Sequence, residues 1–220
     1  ATLFQGCYVL KQGAGLLSYH SRARKIDRVL EDESLPGDTR EKLLLVGDIK
    51  KYAVRTIGLS DDKNYTTYVA VERDYLADVV SACEKDAFAP YTWWFPFMGS
   101  FPYKGFFNRE DALRLAQKLK KKGLDVLVRK VEAFSTLGFF TDPVYSYMTD
   151  YSVFGLASLI IHEQTHATIW VKNRVQFNEE LATFVGHEGG LAFIRDNYGT
   201  ESVEYLEALH SIEDSARFNS

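Results

Sequence analysis

The stretch DYSVFGLASLIIHEQTHATIWV, residues 150–171, decides how the chain is read. Nearly every residue from Val153 to Ile161 is apolar, so a helix here has no polar face and belongs at the centre of a core. The apolar run stops at His162 and Glu163, short of the roughly 18 residues that a bilayer span needs. The helix therefore ends in His162-Glu163-Gln164-Thr165-His166, an HExxH pattern. Two histidines four apart project from one helix face, one turn apart, the separation at which two imidazoles bind one zinc ion. Glu163 lies about 100° round the axis, where it need not ligate and can reach a metal-bound water as general base. With five histidines in the chain, an accidental match has a chance of roughly 1 in 100. Polar and ionisable groups closing an apolar helix cost free energy unless they are hydrogen-bonded or metal-bound.

A catalytic zinc needs a third protein ligand and an open position for water. The downstream candidates are Glu179, Glu180 and His187. Lys172-Asn173-Arg174 reads as a reversal between two helices, and the residue counts on either side of it put Glu179 opposite His166. His187 stands eight residues beyond Glu179, about 12 Å along the axis, too far to share one ion. Glu179 is the expected third ligand and Glu180 the alternative, while His187 and Glu188 read as a polar turn before Gly189-Gly190.

Outward from this region, the C-terminal third predicts helices over 150–171, 176–198 and 200–217. The N-terminal part predicts a helix over 8–33 with a weak point at Gly13 and Gly15, and a second, capped by Asp38 and ending at Gly58. Between them, β-branched and aromatic residues predict strands over 65–71, 76–83 and 91–97. A strand over 101–107, a helix over 108–122 stopped by Gly123 and a strand over 125–131 follow. That pattern predicts an α+β chain with N-terminal helices, a central mixed sheet and C-terminal helices carrying the metal site. No internal repeat or linker composition divides it, so a single domain over residues 1–220 is expected.

Composition supports this reading and excludes others. The 220 residues are 46% apolar and 14% aromatic, too rich for a disordered chain. A net charge of −4 argues against nucleic acid as principal partner. The basic run from Lys118 to Lys122 reads as the solvated end of a helix. Two cysteines form no disulfide framework, and Cys83 reads as a small core residue. Residues 1–6 are too short to hold the apolar core of a signal peptide.

HEQTH followed by Asn178-Glu179 and Phe184-Val185-Gly186 resembles the HExxH-plus-NE arrangement of gluzincin metallopeptidases, in which the Glu after Asn is a metal ligand. Further stretches resemble a bacterial family of predicted zinc aminopeptidases over nearly the whole chain. They are Gly6-Cys7 with Gln12, Tyr91-Thr92-Trp93 through Phe95-Pro96, Ser135-Thr136-Leu137-Gly138-Phe139-Phe140 with Asp142-Pro143, and Phe177-Asn178-Glu179 through Ala182-Thr183. The resemblance implies a zincin-like fold, one zinc ion on His162, His166 and Glu179, catalysis by Glu163 and a peptide or protein substrate. Thr183 departs from it, standing where thermolysin-like members often carry an acidic residue that orients a ligand histidine. The Gly-x-Met-Glu-Asn motif that holds a substrate amino group in many zinc aminopeptidases is absent.

The same resemblance suggests a lipoprotein of the periplasm or envelope, anchored through a lipidated Cys7 after Leu3-Phe4-Gln5-Gly6. Tyr145 and Tyr147 are candidate oxyanion donors. Trp93, Trp94, Phe95 and Phe97 read first as buried core and otherwise as the lining of a substrate pocket, and strands over 103–107 or 126–131 offer an edge that aligns substrate. The function these readings predict is zinc-dependent peptide-bond hydrolysis. The alternative is a non-catalytic, metal-stabilised envelope lipoprotein that binds a partner.

Overall fold

The computed structural model describes residues 8, 13, 15, 17–87, 89–95, 99–131, 141–172 and 174–218. Cys7, Phe97, the 135–140 stretch and Asn173 of the expected reversal lie outside the described residues. In chain order the elements are β1 (Arg24–Lys25), α1 (Ile26–Leu30), α2 (Gly37–Tyr52) running into a π-helical turn (Ala53–Ile57), β2 (Thr67–Val69), β3 (Ala77–Cys83), β4 (Trp93–Phe95), β5 (Gly99–Phe101) and β6 (Tyr103–Phe106). There follow α3 (Arg109–Lys120), β7 (Asp125–Val131), β8 (Val144–Tyr145), a 3₁₀ turn (Ser146–Asp150), α4 (Val153–Thr168), α5 (Val175–Tyr198) and α6 (Val203–Phe218). No described helix is long and apolar enough to cross a membrane. The chain forms two compact units, Ala1–Arg22 with Glu72–Phe134, and Ala23–Val71 with Ser135–Ser220.

In the first unit β3 lies between β6 and β7 and is antiparallel to both, with Val79 facing Gly105 on one side and Arg129 on the other. The strand, helix and strand expected over 101–131 are therefore present, with β3 inserted between the two strands. Helix α3 buries Ala112, Ala116 and Leu119 against Val80, Ala82, Phe106 and Trp93. It starts where Asn108 Oδ1 accepts a hydrogen bond from Asp111 N at 3.1 Å, and Gly123, at φ +86°, turns the chain into β7. Lys118 and Lys120–Lys122 are solvated, as expected. Buried Asp78 accepts from Arg109 Nη1 at 2.7 Å and from the Tyr75 hydroxyl at 3.2 Å, which satisfies a carboxylate that burial would otherwise penalise. Gly15 is required by a close approach, since a Cβ there would stand 2.8 Å from the Phe107 ring.

The expected central mixed sheet is replaced by three small ones: β6-β3-β7, the β4-β5 hairpin, and β1-β2-β8 in the second unit. Mixed pairing is confined to the last of these, where β2 runs antiparallel to β1 and parallel to β8. The helix expected over 8–33 is interrupted because Arg24 and Lys25 leave it to pair with Tyr68 and Thr67. Cys83, at the end of β3, is only half-buried rather than a core residue. Trp93 packs into the first unit's core, as the core reading expects, whereas Trp94 is exposed.

The second unit is organised around α4, which packs against α2, α5 and α6. Its residues Phe154, Leu156, Ala157, Ile160 and Ile161 are buried against a core that includes Leu43, Val46 and Ile49 of α2 and Phe193 and Ile194 of α5. At about 1.5–3 kcal/mol for each large apolar side chain, that burial outweighs the cost of carrying Gln164, Thr165 and His166 inside on the same helix. Ser152 caps α4 by accepting from Gly155 N at 3.0 Å. Asp38 lies in the first turn of α2 rather than at its cap, which is Pro36.

The α4–α5 contact is a close backbone approach. A Cβ on Gly186 would meet the Ser158 carbonyl oxygen at 2.7 Å and the His162 Cβ at 3.1 Å. On Gly190 it would meet Ser158 Oγ at 2.7 Å, and on Gly189 the Ile57 Cδ1 at 2.7 Å. The segment expected to be a polar turn at residues 187–190 is thus the interior of α5. Its glycines are selected by steric proximity, not by a need for positive φ.

Helix propensity favours Ala over Gly by about 1 kcal/mol, but overpacking against backbone costs about 1–3 kcal/mol. Gly186→Ala is therefore expected to destabilise the protein by about 1–2 kcal/mol. Gly47→Ala, in α2 where a Cβ meets nothing within 4 Å, is expected to stabilise it by about 0.5–1 kcal/mol. Urea unfolding of both variants checks the pair.

Candidate metal centre

The last two turns of α4 present His162 and His166 on one face, and the second turn of α5 brings Glu179 opposite them. Their facing atoms form a triangle. His162 Nε2 and His166 Nε2 are 3.1 Å apart, and Glu179 Oε2 lies 3.6 Å from the first and 3.5 Å from the second. Ligands about 2.0–2.2 Å from a tetrahedral ion stand about 3.3–3.6 Å apart, so the triangle has the size of a single metal site. Among the described residues, these three form a group that could hold a metal ion. The side chains grade from buried to open, His166 being 4% exposed, His162 22% and Glu179 54%, which leaves the group accessible from the Glu179 side.

Electrostatics suit a cation. Three acceptor groups converge on one point, a neutral imidazole being the form that ligates. Burial, followed by the neighbouring His166, holds His162 below the ordinary histidine range. Burial, then the negative charges of Asp142 and Glu179, pushes the Glu163 carboxyl up to about 8. A cation at the triangle acts against all three causes, because an opposite charge favours the carboxylate. Glu163 Oε2 is buried without a hydrogen-bond partner among the described residues, which leaves it available to a proton donor bound beside it.

The reversal between α4 and α5 differs in detail from the expected one. Helix α4 ends at Thr168, three residues early, and Ile169 is extended. The buried Asn178 explains the geometry: its Oδ1 accepts from Val171 N and its Nδ2 donates to Val171 O, both at 2.9 Å. This two-point clasp fixes the start of α5 against the end of the hairpin and sets the position of the adjacent Glu179. On the other side, Gln164 Nε2 donates to Ser60 O at 3.0 Å and Ser60 N donates to Thr168 Oγ1 at 2.9 Å, securing α4 to the loop after Gly58.

Glu180, the alternative ligand, accepts from Gln176 Nε2 at 2.8 Å and stays outside the group. The His187 ring lies beside Phe154, centroids 5.9 Å apart. Thr183 is exposed, and the buried Nδ1 of His166 has no hydrogen-bond partner among the described residues. Tyr145 and Tyr147 are buried and stacked on each other at 5.6 Å. Sequence reasoning did not single out Tyr65, which is buried with φ +57°. Its amide donates to Asp142 O at 2.6 Å. Burial, and then the charge of Glu163, pushes its hydroxyl far up. A left-handed φ on a bulky residue leaves no mark in the sequence, so no signal there pointed to it.

Paired histidines on one helix and a glutamate from the next make a group that could hold a metal ion. The chain belongs to the family described as "Putative aminopeptidase", whose model matches residues 7–218 and so runs through both compact units. Membership implies a peptidase and a peptide substrate. Comparison with curated proteins and with solved structures finds no match.

Zinc titrated into chelator-treated protein is expected to raise the thermal midpoint, with about 2.7 kcal/mol of stabilisation at a hundredfold excess over Kd. His166→Ala is expected to lose that response. Differential scanning calorimetry with and without chelator reads both.

Proposed function

We propose that this protein is a zinc-dependent peptide-bond hydrolase. Zinc would be held by His162, His166 and Glu179, with Glu163 as general base. The observation that carries the reading is the triangle of 3.1, 3.5 and 3.6 Å formed by one carboxylate and two imidazole nitrogens. Two histidines and a glutamate are a ligand set that leaves a fourth position open, as hydrolytic zinc sites require.

Zinc held by these residues would supply Lewis-acid chemistry to the peptide carbonyl and to water. Glu163 takes a proton from the attacking water as its oxygen bonds to the carbonyl carbon. It then delivers that proton to the amide nitrogen as the C–N bond breaks, so that a carboxylic acid and an amine leave. Its burial in α4 holds the carboxylate in one place and keeps competing solvent from it. Asn178 contributes by position, since its clasp on Val171 keeps Glu179 facing the histidines.

Changing Glu163 to Gln preserves size while removing the proton acceptor. The expected outcome is a loss of cleavage of about 10²–10⁴-fold with metal content unchanged. Assays on matched free and N-acetylated peptides, paired with metal analysis of the same samples, check this and report whether a free amino terminus is required. Undiminished cleavage by Glu163→Gln would remove Glu163 from the role.

A further inference from the structure

We infer that Trp170 and Val175 form the apolar wall of a side-chain subsite beside the His162, His166 and Glu179 group, taking a bulky apolar residue of a peptide next to the bond cleaved. The inference rests on the hydrolase reading above and deepens it by naming the substrate class.

Trp170 touches the metal group directly. Its ring meets that of His166 edge to face, centroids 5.6 Å apart at 67°. It nevertheless remains 41% exposed, so one side of the indole rests on a proposed ligand and the rest faces outward. Val175 opens α5 exactly one turn before Glu179, on the same helix face, and is 48% exposed.

The residues on either side of Trp170 are hydrogen-bonded. Ile169 N donates to Thr165 O at 2.8 Å, and both backbone polar groups of Val171 are taken by Asn178. Trp170 is therefore pinned at both neighbours, which lowers the entropy cost of using its ring for recognition. Within nine residues Ile169, Trp170, Val171, Val175 and Phe177 are each between 39% and 49% exposed. Single exposed apolar residues need no explanation, but a contiguous group is a contact surface. Its continuity with the triangle, through the Trp170–His166 ring contact, assigns it to the substrate. The exposed Lys172 and Arg174 in the same hairpin would also suit an anionic lipid surface, which the experiment distinguishes.

The test compares zinc-loaded wild-type protein, Trp170→Ala and Trp170→Phe on peptides that vary only the residues flanking one bond, Leu or Phe against Ser or Asp. Binding of the same peptides to the Glu163→Gln form, with and without Trp170→Ala, is measured by calorimetry. Trp170→Ala is expected to lose about tenfold in kcat/KM and in affinity on Leu and Phe peptides, while Ser and Asp peptides change less than about twofold. Trp170→Phe is expected to retain most of the apolar preference, and zinc content is expected to be the same in all forms. Uniform loss across the library, or none, overturns the assignment of Trp170 while leaving the hydrolase reading intact. Absence of any cleavage by wild-type protein overturns both. A Trp170→Ala protein whose sole defect is weaker binding to phosphatidylcholine–phosphatidylglycerol vesicles overturns the subsite and makes the hairpin a membrane contact.

Discussion

The structure of the second unit depends on how closely α4 and α5 approach. At Gly186 and Gly190 the backbone of α5 lies against Ser158 and His162 with no room for a Cβ, and Gly189 admits Ile57 and Ile161. Larger residues at these positions would push the helices apart, and Glu179 with them. Glu179 Oε2 stands 3.6 and 3.5 Å from the His162 and His166 Nε2 atoms, distances that the helix separation sets. The glycine face and the Asn178 clasp act on the same quantity from two sides, the first setting the distance between the helices and the second their register.

A second constraint follows from charge. The group places two imidazole nitrogens and a carboxylate oxygen around one point, and Glu163, which follows His162 in sequence, has a buried Oε2 with no hydrogen-bond partner among the described residues. Carrying these groups inside costs free energy, and burial is the chief cause that raises the Glu163 carboxyl and lowers the His162 imidazole. The apolar half of α4 offsets the cost through burial of Phe154, Leu156, Ile160 and Ile161. One helix therefore supplies both the stability and the chemistry of the unit, and the exposed hairpin that follows it carries the apolar surface assigned to substrate.

Much of this was legible in the residues because it depends on local periodicity. The i, i+4 histidines, the buried character of α4, the helical hairpin and the approach of Glu179 to the histidines all follow from 3.6 residues per turn and a count across the reversal. The antiparallel pairing of β3 with β6 and β7 was less accessible, because the sequence shows which segments are strands but not which neighbours they choose. The segment 187–190 was misread for a related reason. Two adjacent glycines signal a turn when considered alone, and only contact with α4 explains them inside a helix.

The sequence by itself placed His162 and His166 one turn apart on α4 and carried the family resemblance, since helical phase and motifs are properties of consecutive residues. Tertiary structure alone decided that Asn178 grips Val171, that Tyr65 adopts a left-handed backbone beside Asp142, and that Trp170 stands against His166 while facing solvent. Each of these depends on a short distance between segments whose approach is set by side-chain volume and backbone clearance. Those quantities are summed over the whole packed core rather than written at any one position.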